Sequence, residues 1–172
     1  MSKDDTKQQS LGSKLVRALK NSSGSGKREV EVEHDGTMAR ADVNGSGPYG
    51  SSVDRITVVG ADRERTEEEA GDAIRRQAAG IVERVTYLPE RLREHEVDAG
   101  LGGGVLRSRP EEMRDREYHE IKLDRGRDAE ISRYRYDPKQ TRRDRIPQHY
   151  SHEALERLAD DLSDVLGDEE ED

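Results

Sequence analysis

The stretch Glu117–Tyr136, "EYHEIKLDRGRDAEISRYRY", contains two segments that alternate as β-strands do, joined by a short polar turn. In the first segment one face holds His119, Ile121 and Leu123, and the other holds Tyr118, Glu120 and Lys122. In the second segment one face holds Ala129 and Ile131, and the other holds Tyr134 and Tyr136. We therefore predict an antiparallel hairpin with one apolar face and one polar, aromatic face.

Two amphipathic helices are predicted on either side of this hairpin. The first runs from about 67 to 86, after a capping box formed by Thr66 and Glu69. The second begins after Ser151, places Tyr150 so that it can pack against Leu155, and ends near Gly167. Each helix has an apolar stripe at helical spacing, which indicates packing on a sheet.

Further strands are predicted at 54–60, 91–98 and 104–109. The run "AGLGGG", residues 99–104, separates the last two. A phosphate-binding loop needs its glycines between a strand and a helix, and here a strand pattern follows, so we interpret the run as a hairpin turn. The predicted fold class is α+β, with a small antiparallel sheet of meanders and hairpins packed by two amphipathic helices over residues 54–167.

Residues 1–53 have the composition of a flexible arm. Ser and Gly dominate residues 21–26 and 44–52, as in mobile linkers. Two ordered islands are predicted in the arm: a short basic helix at about 10–20, capped by Ser10, and a marginal hairpin at about 28–43 that turns at Asp35-Gly36. Residues 168–172, "DEEED", are predicted to form a solvated acidic tail.

The arm helix is the candidate partner-binding segment. Its apolar face and the basic residues beside it are Leu11, Leu15, Ala18 and Leu19, and Lys14 and Arg17. Three interpretations compete: packing on the protein's own domain, docking into a groove of a partner protein, and weak binding to a membrane surface. Docking through a flexible tether is the interpretation that the sequence favours.

Composition limits the possible functions. Hydrophobic residues make up 30% of the 172 residues and charged residues 40%, and Phe, Trp and Cys are absent, so we expect a thin aliphatic core. Without Cys the chain has no disulfide and no thiol chemistry. The sequence has no apolar run long enough to span a bilayer and no secretory signal, so we expect a cytoplasmic protein. The formal net charge of −9 disfavours nonspecific binding to nucleic acid.

One segment is basic although the chain as a whole is acidic. Between residues 131 and 150 tyrosines are interleaved among basic residues, mostly arginines, a composition typical of nucleic-acid or phosphate binding. The members of this candidate patch are Arg133, Tyr134, Arg135, Tyr136, Arg142, Arg143 and Arg145. An ordinary charged loop between a strand and a helix is the alternative interpretation.

One group of residues is a candidate catalytic set. His119 and Glu120, with Tyr134 and either Arg133 or Arg135, supply the groups that general acid–base chemistry needs. In a regular strand, however, His119 and Glu120 point to opposite faces. The five histidines lack the spacing of metal ligands, so we expect no metal and no other cofactor.

The sequence therefore favours a non-catalytic interaction protein, an adaptor or assembly component that its N-terminal arm recruits to a larger protein assembly. A protein partner or a homo-oligomer is expected, because a thin core leaves sheet edges and helix stripes to be covered. The alternative hypothesis is a nucleic-acid or phosphate-ligand binder that uses the Arg/Tyr segment. A small hydrolase-type enzyme is the least favoured hypothesis.

Overall fold

The structure is a computed structural model that describes residues 9–98, 100, 102–108 and 116–167. The predicted acidic tail and the first eight residues of the predicted arm lie outside the described residues. The helices are α1 Leu11–Asn21, α2 Glu67–Arg84 and α3 His152–Gly167. The strands are β1 Gly24–His34, β2 Thr37–Ser46, β3 Gly50–Val59, β4 Leu92–Asp98, β5 Gly103–Ser108, β6 Glu117–Asp124, β7 Asp128–Asp137, β8 Arg142–Ile146 and β9 Gln148–Ser151.

The nine described strands form one antiparallel sheet, in which seven follow the order β1-β2-β3-β7-β6-β5-β4 and β8 and β9 join from the side. β3 and β7 are neighbours in the sheet over only part of their length and separate over the rest. These two strands pair directly only where residues 55–59 of β3 meet residues 128–132 of β7. Beyond that point β8 pairs with the rest of β7, and β9 pairs with the start of β3. Because both pairings are antiparallel, the chain reverses direction around Pro147.

One apolar row crosses six strands and faces the helices. It consists of Val30, Ala41, Ile56, Ile131, Ile121 and Leu106, which are direct cross-strand partners. All six side chains are buried in a single core with the apolar stripes of the three helices. α1 packs on β1 and β2, α3 on β3, β7 and β9, and α2 on β4, β5 and β6.

The predicted α+β class is confirmed, but the predicted small sheet with two helices is only partly matched. The described chain has nine strands in a large sheet and three helices against it. The predicted turn at 99–104 is shorter in the structure, because Gly103 and Gly104 already pair with Asp98 and Val97 as the start of β5. Ala99 and Leu101 in that turn lie outside the described residues.

The expected separate arm is replaced by an integral part of the fold. β1 and β2 extend the sheet because β2 pairs with β3 along nearly its whole length. α1 lies against α3, and the Asp160 side chain of α3 accepts hydrogen bonds from Gly12 N at 2.8 Å and Ser10 Oγ at 2.9 Å. The core therefore begins at Leu11, which is 2% exposed, and not near residue 53 as the composition suggested.

The Gly/Ser segments misled the prediction because glycine and serine continue a strand once a neighbouring strand supplies hydrogen bonds. Gly24 and Ser25 pair with Ser46 and Gly45, and the registers shift around them. β-Bulges of this kind commonly occur near sheet edges and strand ends, and glycine is frequent in them. The Ser/Gly-rich stretches are therefore irregular strand ends, not tethers.

Candidate functional site: the open face of the sheet

In the described part of the chain all three helices pack on one face of the sheet, so the other face is open. At its centre the open face carries arginine and tyrosine side chains from β5 to β8. We call this cluster the Arg–Tyr face and define it by Arg107, Tyr118, Glu120, Ser132, Tyr134, Tyr136, Arg143 and Arg145. Its members point away from the face that carries the core residues, because side chains at positions i and i+2 share a face.

Two tyrosines form the middle of the Arg–Tyr face. Tyr118 of β6 and Tyr134 of β7 are direct cross-strand partners, and their ring centroids lie 5.9 Å apart with a 31° tilt. Opposed aromatic residues on adjacent strands stabilise the pairing by roughly 0.2–1 kcal/mol. Tyr136 continues the row along β7 and is 40% exposed.

Arg143 is held over the Tyr134 ring by Glu120. Its Cζ lies 3.9 Å from the ring centroid, which is cation–π contact distance. Nη1 and Nη2 donate to Oε2 and Oε1 of Glu120 at 2.6 and 3.2 Å, and Nη1 also donates to the Tyr118 hydroxyl at 3.2 Å. This bidentate geometry fixes the plane of the guanidinium as well as its position.

Glu120 is the negative centre of the Arg–Tyr face. Its side chain is 7% exposed and accepts a further hydrogen bond from Arg107 Nε at 2.7 Å. Burial alone would raise the pKa of Glu120, but the hydrogen bonds from Arg143 and Arg107 outweigh burial and hold that pKa below its usual range. The Arg107–Glu120–Arg143 triad therefore carries one surplus positive charge.

A second chain of ion pairs crosses the same face towards β2. Arg145 Nη2 lies 3.5 Å from Glu130 Oε1, and Arg55 bonds both Glu130 at 3.6 Å and Asp42 at 3.0 Å. These two arginines and two carboxylates balance in charge. Ser132, which is 5% exposed, lies between Arg55 and Glu120 in the register, and its hydroxyl has no hydrogen-bond partner among the residues that the structure describes.

The strand register divides the predicted Arg/Tyr patch between the two faces. Tyr134 pairs with Arg145 and Tyr136 with Arg143, which places these four residues on the open face. The side chains of Arg133, Arg135 and Arg142 alternate with them and lie on the opposite face. Arg133 and Arg135 both bond Glu117 there, and Arg142 lies 3.6 Å from Asp144. The hydrogen bonds from Arg135 and Arg133 outweigh burial and lower the pKa of Glu117.

Of the groups proposed for acid–base catalysis, the structure brings His119 and Arg133 together but separates both from Glu120 and Tyr134. His119 is fully buried on the helix side, where its Nδ1 lies 3.0 Å from Arg133 Nη1 and 3.3 Å from Glu90 Oε2. Burial, reinforced by the Arg133 charge, lowers the pKa of His119 to about 4. Glu120 and Tyr134 lie on the open face, so the sheet itself separates them from His119.

Sequence reasoning missed Arg107 and Tyr118 as members of this site. Arg107 is isolated on a short strand, and Tyr118 carries no local signal beyond alternation. A depression of about 470 Å³ lies at the Tyr136 end of β7. It is lined by Arg116, Glu117, Arg135, Tyr136, Asp137, Pro138 and Asp144. His119 does not line it, and its mixed charges point to no single ligand.

The predicted partner-binding residues of α1 are largely buried within the protein itself. Leu11, Leu15 and Leu19 are at most 2% exposed, and Ala18 packs against the same core. Of the basic residues, Arg17 is exposed, and Lys14 donates from Nζ to the Glu33 carbonyl of β1 at 3.1 Å. The apolar stripe that suggested docking on a partner therefore packs on this chain's own sheet and α3.

No protein-family model matches the chain, and no curated protein or solved structure is significantly similar to it. Within the described residues no helix has the length and apolar character needed to cross a membrane. Among the same residues no group of three or more His, Asp or Glu side chains is placed to hold a metal ion. The functional argument therefore depends on the geometry of the Arg–Tyr face.

Proposed function

We propose that this chain is a non-catalytic binding protein whose binding surface is the Arg–Tyr face. The observation that carries the proposal is the stack of Arg143 on Tyr134, with Glu120 holding the guanidinium in place on an open sheet face. Tyrosine and arginine are enriched among the residues that contribute most to binding at interfaces.

The fixed geometry of this cluster favours binding. A side chain that is already immobilised loses little conformational entropy when a partner arrives, and about 0.5–1.5 kcal/mol is otherwise lost per ordered side chain. Arg143 and Arg107 are both held by Glu120, and Arg143 also bonds Tyr118. The face is therefore preorganised, and its rings and guanidiniums are presented together.

A catalytic role is less well supported by the same contacts. General acid–base chemistry needs a titratable group that can reach a substrate proton. Glu120 is held ionised between two arginines, and His119 is buried beneath the opposite face with no exposed surface. Neither group is free to exchange protons with a ligand on the open face.

Recruitment to a larger assembly through α1 stays a prediction. For a partner to bind the apolar stripe of α1, Leu15 and Leu19 would have to leave a core in which they are 0% exposed. That withdrawal would cost several kcal/mol before any partner contact formed. The Arg–Tyr face needs no such rearrangement, which is why we place the binding surface there.

The proposal is tested by site-specific photocrosslinking in an extract of the native host. A photoreactive amino acid replaces the face residue Tyr136, 40% exposed, or the control residue Tyr49, 85% exposed in the turn between β2 and β3. We expect discrete adducts from position 136 that are lost when Tyr134→Ala and Arg143→Ala are added. Equal labelling from both positions, or no adduct at position 136, would refute the proposal.

A further inference from the structure

Resting on the proposed function, we infer that the Arg–Tyr face binds single-stranded nucleic acid by stacking its unpaired bases on the guanidinium of Arg143 and on the neighbouring tyrosine rings. The inference follows from the difference between the hydrogen-bonding edges of the arginines, which have partners within the protein, and their planar surfaces, which can contact a ligand. The hydrogen-bonding edges of Arg143 and Arg107 are engaged within the protein, whereas the Arg143 side chain is 37% exposed and Tyr136 is 40% exposed.

The occupied edges argue against an acidic ligand held by ion pairs. Both terminal nitrogens of Arg143 donate to Glu120. Arg107 uses Nε for Glu120 and Nη1 for His95 Nε2, at 2.7 and 3.1 Å. A carboxylate or phosphate needs those edges for bidentate recognition and would have to displace Glu120, which is 7% exposed.

The free surfaces suit a planar aromatic ligand. The Arg143 side chain is 37% exposed, although its terminal nitrogens bond Glu120 and one side of its guanidinium plane lies over the Tyr134 ring. Bases in single strands stack on tyrosine rings and on arginine planes, and each stacked base contributes roughly 1–3 kcal/mol. Tyr136 lies two residues along β7 from Tyr134 on the same face, and so offers a second ring for an adjacent base.

The local charge is compatible with a phosphate backbone despite the net charge of −9. The Arg107–Glu120–Arg143 triad has one surplus positive charge. Farther along the same face, Lys122 is balanced by Asp124, whose cross-strand partner is Asp128, and Asp124 lies four residues or about 13 Å from Glu120. The acidic residues Glu29, Glu31 and Glu33 line β1, which is three strand positions from β7. That is about 14 Å at the usual strand spacing and exceeds the Debye length of about 8 Å at physiological salt.

The probes are fluorescein-labelled oligouridylate and oligothymidylate of about 12 nucleotides, titrated with the full chain and followed by anisotropy. We expect both to bind, with a DNA duplex of equal length binding at least about tenfold more weakly because its bases are already stacked. The logarithm of the affinity should fall with the logarithm of salt with a slope of only about −1.4, as expected for two neutralised phosphates.

The decisive variant is Arg143→Lys, which keeps the positive charge but replaces the planar guanidinium with an ammonium group that cannot stack on a base. We expect it to weaken binding about five- to 150-fold, the loss of one stacked base. Arg142→Lys is the matched control, because Arg142 is exposed on the opposite face of the same strand. Far-ultraviolet circular dichroism and urea melts check that both variants remain folded.

The inference would be overturned by no binding of either oligonucleotide, equal affinity for duplex, unchanged affinity in Arg143→Lys, or a salt slope of about −3 or steeper. Oligoglutamate serves as the competing anion, and displacement of the oligonucleotide by it at equal charge would also count against stacking. If oligonucleotides fail while crosslinking at position 136 captures a protein, the nucleic-acid inference fails and the proposed binding function stands.

Discussion

The backbone N–H of Gly12 donates a hydrogen bond to Asp160 Oδ1 at 2.8 Å and thereby joins the first helix to the last. Asp160 Oδ2 accepts a second bond from the Ser10 hydroxyl. The first turn of α1 has no acidic residue of its own, so a carboxylate from α3 supplies the negative charge that a helix N-terminus favours. The two helices approach closely because residue 12 is a glycine.

Gly12→Ala should destabilise the protein by about 1–3 kcal/mol, because the new methyl group would overlap the Glu156 carbonyl oxygen of α3. Urea denaturation at constant m-value measures the loss. The matched control is Gly167→Ala, where a methyl group meets nothing within 4 Å. A neutral effect of Gly12→Ala would show that α1 does not lie against α3.

Leu15→Ala should lower the free energy of unfolding by about 2–5 kcal/mol, the usual cost of truncating a fully buried leucine. Arg17→Ala, on the exposed side of the same helix, should change it by less than about 0.5 kcal/mol. Thermal and urea melts of the two variants give the comparison. Similar stabilities for both would indicate that α1 moves independently of the domain.

His119 should make the protein less stable as the pH falls from about 6.5 to 4. Burial lowers its pKa to about 4, whereas an unfolded histidine titrates near 6.5, so the unfolded chain binds more protons in this range. The free energy of unfolding should therefore decrease by on the order of 3 kcal/mol across the window.

The variant His119→Gln should flatten this pH dependence, whatever its own stability at neutral pH. His95→Gln, at an exposed position on β4, should leave the dependence intact. Urea melts at several pH values supply the measurement. Carboxylates with a lowered folded-state pKa add to the loss from about pH 5 downward, so the His119 effect is read between about pH 6.5 and 5 and from the difference between the two variants. A wild-type stability that does not change between pH 6.5 and 4 would contradict the buried, neutral histidine.

Glu120→Gln should destabilise the fold by about 1–3 kcal/mol, because two arginines lose a buried charged acceptor. The same change frees the Arg143 edge for phosphate, so oligonucleotide binding should become more salt-dependent, with the slope steeper by about 0.7 for each added phosphate contact. Glu31→Gln on β1 is the exposed control. An unchanged slope would mean that Glu120 does not occupy the Arg143 edge in solution.

Local chemistry in the sequence predicted most individual elements. The predicted Ser10 cap and the predicted capping box at Thr66 are present, and the predicted helices begin within a residue of their observed starts. Asp35 and Gly36 form the two-residue turn, with φ of 50° and 81°. β8 escaped prediction because Arg142–Ile146 has no apolar alternation and takes its strand conformation from β7.

The sequence by itself determined the helices, the hairpins and the faces that each strand presents, because capping, turns and alternation act between residues close in the chain. Only the tertiary structure decided that α1, β1 and β2 belong to the core, and that Glu120 lies between Arg107 and Arg143. Those contacts depend on strand order and register. Both are set by cross-strand hydrogen bonds and shared burial between segments far apart in the chain.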